Sequence, residues 1–217
     1  MPFRNRADAG RRLAAALAAY KNEQPVVLAL PRGGVPVAAE VAAALHAPLD
    51  LVLVRKLGVP AQPELAMGAV VDGSAPIIVR NEDVIRLTGV TDEEIQAVCA
   101  EELAEIERRR DRYLGNRARV HPDGRVVIVV DDGIATGATT RAALRALRLR
   151  GPKKLVLAVP VAPTETLAAM RDEADEVVCL EDYADFGAIG FFYSDFRQTS
   201  DTEVIAALAQ FPPPAVE

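Results

Sequence analysis

Short β-branched apolar runs alternate along this chain with longer stretches whose apolar residues recur every three or four positions. The runs at 25–30 (PVVLAL), 49–54, 126–130 (VVIVV), 153–160 and 176–180 read as strands. Between them the helical spacing predicts helices over about 35–45, 91–113, 138–150 and 164–172. Phe3, Leu13, Leu17 and Tyr20 read as the buried stripe of a first helix. Two further β-type runs, 69–71 and 76–79, flank Asp72-Gly73-Ser74, which reads as a hairpin turn. Residues 55–67 carry the breakers Gly58, Pro60 and Pro63 and read as irregular. Thr91-Asp92-Glu93-Glu94 has the capping-box pattern, and Arg108, Arg109, Arg110 and Arg112 suit the negative pole of the same helix. The bland reading of these arginines is a solvated helix end. Such alternation implies an α/β protein with a mostly parallel sheet flanked by helices. Its ligands would bind beyond the carboxyl ends of the strands.

At 217 residues one α/β domain is expected, and half the residues are hydrophobic with few aromatics. A formal net charge of −6 argues against a general nucleic-acid binder and against an anionic membrane surface. Cys99 and Cys179 lie far apart and read as lone thiols, and two histidines cannot build a zinc site. No run is long enough to span a bilayer, and Asp8 speaks against a signal peptide, so a cytoplasmic location is expected. The proline-rich stretch from Pro212 reads as a frayed terminus.

The stretch after the 126–130 strand concentrates the chemistry. Asp131 and Asp132 are acceptor-only groups that suit paired ribose hydroxyls. Ala135, Thr136, Gly137, Ala138, Thr139 and Thr140 form a small-residue turn into a helix, which gathers unpaired N–H donors at the positive end of its dipole. Together they describe a ribose 5-phosphate site. A Thr-capped helix after an acidic strand end, or a magnesium site on the Asp pair, are the alternatives. After the first strand, Pro31-Arg32-Gly33-Gly34 joins a guanidinium to two glycines, either an anion grip or simply a tight turn.

Asp131-Asp132-Gly133-Ile134-Ala135-Thr136-Gly137-Ala138-Thr139 resembles the phosphoribosyl-diphosphate signature of the type I phosphoribosyltransferases. The chain is also similar to a subgroup of bacterial phosphoribosyltransferases through PRGG, RKLG…PELA, VDDGIATGATT and the FY…DF…D run. The resemblance implies one phosphoribosyltransferase-type domain over 1–217, with a helical insertion at about 81–120 and a small C-terminal hood at about 181–200. It assigns the 5-phosphate to Ala135–Thr140. Pyrophosphate goes to Arg32, Gly33, Gly34, Arg55 and Lys56, the last two opening the family's mobile loop, and the base goes under the hood, with Phe186 as stacking candidate. Arg55 and Lys56 also fit a solvated strand end, Glu64 a turn or helix-start carboxylate, and Phe186 the hood's own core.

On this reading Asp131, Asp132, Arg32 and Lys56 carry catalysis. Mg²⁺ enters with the substrate and finds no firm direct protein ligand except through Asp131 and Asp132. The expected partners are phosphoribosyl diphosphate and an unidentified base, and the family allows a homodimer. Ala135 stands where 6-oxopurine enzymes carry an acid, which disfavours a hypoxanthine–guanine activity. The rivals are a non-catalytic regulator that binds the diphosphate or a nucleotide and, more remotely, a hydrolase.

Overall fold

The computed structural model describes residues 2–73 and 75–211. Ser74 of the expected 72–74 turn and the stretch from Pro212 lie outside them. In order, the chain forms α1 (Arg6–Ala16), a 3₁₀ turn, β1 (Val26–Ala29), α2 (Gly34–Leu45), β2 (Leu49–Leu51), β3 (Val54–Val59), β4 (Gln62–Val71) and β5 (Ile77–Arg80). It continues through α3 (Glu82–Thr88), α4 (Asp92–Leu114), β6 (Val126–Val130), α5 (Ala138–Arg148), β7 (Lys154–Pro163), α6 (Thr164–Met170), β8 (Glu176–Tyr183), a 3₁₀ turn and α7 (Asp201–Ala209).

Five of the strands make one parallel sheet in the order β2-β1-β6-β7-β8. Each inner strand feeds two cores, because successive side chains leave a strand on opposite faces. Val126, Ile128 and Val130 face the core that holds α1, α2, α4 and α7, while Val127 and Val129 face the core of α5 and α6. All five are at most 2% exposed, and each such valine contributes about 1.5–3 kcal/mol of transfer free energy. The chain turns one way from β1 to β2 and the other way from β6 to β7. That reversal opens a crevice at the carboxyl ends of β1 and β6.

Residues 55–67 are not irregular. β3 and β4 form an antiparallel hairpin across the two-residue turn Pro60-Ala61, and β5 extends it to a second, three-stranded sheet. Pro60 occupies the turn itself, and the register shifts around Gly58, where Pro63 comes too close to allow a side chain. The local breakers thus shape the hairpin instead of preventing it.

The insertion contains α3 as well as the long α4, whose capping box forms as expected at Thr91 and Glu94. Phe3 is not on the first helix. It pairs with Tyr193 as an isolated bridge and packs with Ala9, Val161, Phe186, Phe192 and Tyr193 in a small third core, the hood. Among the described residues no helix is long and apolar enough to cross a membrane.

Candidate anion and ribose site

The Pro31–Gly34 turn and the Asp131–Thr140 loop meet where β1 and β6 end side by side. The Leu30 N–H donates to the Val130 carbonyl at 2.9 Å, one rung beyond the β1 strand. A methyl group on Gly34 would lie 2.7 Å from that carbonyl and 2.9 Å from the Asp131 Cα. A methyl group on Gly33 would collide with the Asp132 carboxylate. The two glycines are therefore dictated by the approach of the Asp pair, more than by any need for unusual backbone angles. The Pro31–Arg32 peptide is cis.

The two carboxylates have different surroundings. Asp131 Oδ1 accepts the Asp132 N–H at 2.8 Å, and burial, followed by the neighbouring Asp132 charge, pushes its carboxyl well above the usual range. Asp132 Oδ2 accepts from Arg6 Nε at 2.7 Å. Arg6 is itself fixed by the Arg197 carbonyl at 2.7 Å and lies 4.0 Å over the Phe196 ring. The Asp132 carbonyl accepts from the buried Tyr193 hydroxyl at 2.6 Å. Arg6 bonds Asp132 alone, which leaves Asp131 without a cationic hydrogen-bond partner among the described residues.

The loop from Ala135 to Thr140 is held from below. Thr166 Oγ1 donates to the Ala135 carbonyl at 2.9 Å, and the Ile134 N–H donates to Val161 at 3.0 Å. Gly137 caps α5 at φ +74°, a left-handed conformation that glycine adopts without strain. Among the described residues, no N–H from Ala135 to Thr140 and no Thr136 or Thr139 hydroxyl donates to a protein acceptor. Thr136, Ala138 and Thr139 are exposed, whereas Thr140 is buried under the loop. Donors aimed outward at a helix start are what an anion requires.

The remaining cations stand apart from this centre and are paired within the chain. Arg32 reaches Asp201 at 3.5 Å, beside a cavity of about 250 Å³ that Arg108, Arg109 and Arg112 also line. Arg55 Nε donates to Glu102 at 2.5 Å, and Lys56 to the fully exposed Glu64 at 3.2 Å. Glu64 thus sits on β4, at neither a turn nor a helix start. Of the arginines read as a solvated helix end, Arg110 is buried against Asp72. Phe186 packs into the hood core 4.8 Å from Phe192, while Phe191 is the exposed ring. Tyr193 and Asp201 belong to the FY…DF…D run, but the run did not reveal their partners, which like that of Arg6 lie tens of residues away or more.

The profile of the phosphoribosyl transferase domain matches residues 3–196. Two Mycobacterium tuberculosis proteins, of strains CDC 1551 and H37Rv, carry phosphoribosyl transferase names and are each 51% identical over 206 residues. Those matches cover 95% of this chain and 46% of theirs, so the chain spans about half the length of these curated relatives. The crystal structure of TT1426 from Thermus thermophilus is 42% identical with a TM-score of 0.86, covering 98% of this chain and 100% of that one.

Proposed function

Because the chain belongs to the phosphoribosyl transferase domain family, we propose that it transfers ribose 5-phosphate from phosphoribosyl diphosphate to an acceptor nitrogen and releases pyrophosphate. The observation that carries this reading is the free donor loop of α5 lying next to an acceptor-only Asp pair with a single counter-ion. The 5-phosphate takes the N–H groups from Ala135 to Thr140, and the ribose hydroxyls take Asp131 and Asp132. The pyrophosphate takes the Gly33–Gly34 turn with Arg32, and Lys56 and Arg55 from the β3–β4 hairpin. The base sits under the hood beside Phe186. A cytoplasmic location and a homodimer belong to the same proposal.

In the reaction the bond from the sugar C1 to pyrophosphate breaks and its electron pair leaves with pyrophosphate. The acceptor nitrogen forms the new bond to C1 and sheds its proton to solvent. Asp131 and Asp132 oppose the positive charge that grows on the sugar, and Arg32 and Lys56 the negative charge that grows on the leaving group. Mg²⁺ fits this site as a companion of the substrate, since the Asp131 carboxyl oxygens have no cationic hydrogen-bond partner among the described residues. Asp131 and Asp132 would hold it, and it would supply charge neutralisation at the diphosphate.

The test is purified protein with phosphoribosyl diphosphate, Mg²⁺ and a panel of bases, monitored for pyrophosphate. Joint replacement of Asp131 and Asp132 by Asn is expected to lower turnover about a hundredfold or more; unchanged turnover refutes their role. Ala135 predicts weak activity on 6-oxopurines. One observation favours a regulatory second reading: Arg32, Arg55 and Lys56 are all engaged by carboxylates of the same chain. Tight diphosphate binding without pyrophosphate release for any base would select it.

A further inference from the structure

Away from the crevice, a cavity of about 360 Å³ opens beside the β2 edge, between the β4–β5 connection and the ends of α4 and α5. No residue of the Pro31–Gly34 turn or of the Asp131–Thr140 loop lines it. Three guanidinium groups from separate parts of the chain converge on it. Arg110, its side chain 9% exposed, donates from Nη1 to Asp72 Oδ2 at 2.9 Å. Arg119 donates to the same oxygen at 3.0 Å, and Arg150 donates to the Asp72 carbonyl. Arg110 Nη2 is buried with no acceptor among the described residues.

None of the nearby carboxylates, which include Asp123 on the same lining, accepts from Arg110 Nη2. Asp50 also lines the cavity, but its two oxygens accept the Leu51 and Val120 N–H groups, at 2.8 and 2.9 Å. Glu107 comes only within 3.8 Å of Arg119. Desolvation is strong enough to lower the Arg150 pKa, and a buried guanidinium donor left unmatched is costly until an anion completes it. The same lining includes the apolar side chains of Val52, Ile77, Leu147 and Leu149.

From this arrangement we propose that the cavity is a second, unassigned ligand site for a small phosphomonoester, its phosphate on Arg110, Arg119 and Arg150 and its organic body on these apolar side chains. Three guanidinium forks arriving from different directions suit the three terminal oxygens of a phosphate better than the two of a carboxylate. The volume is that of a small-molecule pocket.

Leu149 stands at the rim, 73% exposed, and the chain contains no tryptophan, so Leu149→Trp installs a single local reporter. Its fluorescence is to be titrated with adenosine 5′-monophosphate at constant ionic strength, with inorganic phosphate and adenosine as competitors. A saturable change is expected, displaced by phosphate. It should weaken by about tenfold or more on adding Arg150→Gln or Arg119→Gln, each removing a charge-assisted contact. Circular dichroism of both variants confirms that they are folded, where Arg110 variants risk the core. The Thr139→Val change in the crevice should leave the titration as it was. No saturable signal, an unchanged titration in both arginine variants, displacement by adenosine but not phosphate, or loss on Thr139→Val would each overturn the proposal. None of these outcomes depends on whether the crevice catalyses transfer.

Discussion

Arg6 supplies the only cation bonded to the Asp pair among the described residues, and its removal tests how the site is held together. Both side chains are desolvated, Arg6 at 11% and Asp132 at 10% exposure, with Nε to Oδ2 at 2.7 Å. Arg6→Met keeps an unbranched apolar side chain but leaves the Asp132 carboxylate buried beside that of Asp131. Breaking such a pair costs about 3–5 kcal/mol, and the residual exposure places this one near the lower end, at about 3 kcal/mol. Asp132→Asn removes the stranded charge, so the double variant should cost about 1.5–2 kcal/mol less than the sum of the singles. Urea unfolding followed by circular dichroism at pH 7 measures all four corners of this cycle. The exposed Arg11–Glu40 pair, at 3.0 Å and 52% and 32% exposure, is the control, and Arg11→Met should cost under about 1 kcal/mol. An Arg6→Met cost no larger than the control, or strict additivity with Asp132→Asn, would refute the argument.

Gly34→Ala forces a methyl group onto the Val130 carbonyl and the Asp131 backbone, neither of which can swing aside, and should destabilise by about 1–3 kcal/mol in the same assay. Asp131→Asn should raise the melting temperature at neutral pH while lowering turnover. The folded state holds the Asp131 proton more tightly than the unfolded chain does, so ionisation penalises the fold as pH rises above the ordinary Asp range. The gain should shrink toward zero below about pH 3.8, the ordinary Asp value, where both states are protonated; a gain independent of pH would contradict it. Burial pushes the Cys179 thiol up to about 11, and burial also raises that of Cys99. Both should react with an aromatic disulfide at pH 8 about a hundredfold more slowly folded than in urea, and a native rate equal to the urea rate would exclude this.

The parallel sheet was legible because β1, β6 and β7 alternate between two apolar cores, a pattern that helix-covered sheets impose on sequence. The loop after β6 stood out for a related reason: the anion-binding role proposed for it needs small residues and hydroxyls in consecutive positions. Residues 55–67 misled because Gly58, Pro60 and Pro63 are local signals, whereas the hairpin is stabilised by Leu57, Val59 and Met67 entering the main core. Arg110 could have been placed correctly. It follows Ile106 by four positions and precedes Tyr113 by three, so it shares their buried helical face. Arg6 could not, since its partner is 126 positions away and no periodicity links an N-terminal arginine to a strand end.

The two halves of the proposed site differ in how far they are built in advance. The Gly33–Gly34 turn and the Asp pair are locked by a backbone rung at 2.9 Å and by contacts that leave no room for a Cβ. A ribose diphosphate entering there meets dipoles that need not reorganise, the condition under which electrostatic stabilisation is strongest. Lys56 is different, half exposed and paired with a carboxylate that water surrounds completely, a contact too weak to fix it. Its ion pair can therefore be exchanged for pyrophosphate oxygens at little cost, and the hairpin that carries it is ordered by its own strands. On the proposed reading the fold combines a rigid cradle for the ribose and its diphosphate with a detachable cation for the leaving group. That division is what a transferase requires if it is to hold its donor and still release a product.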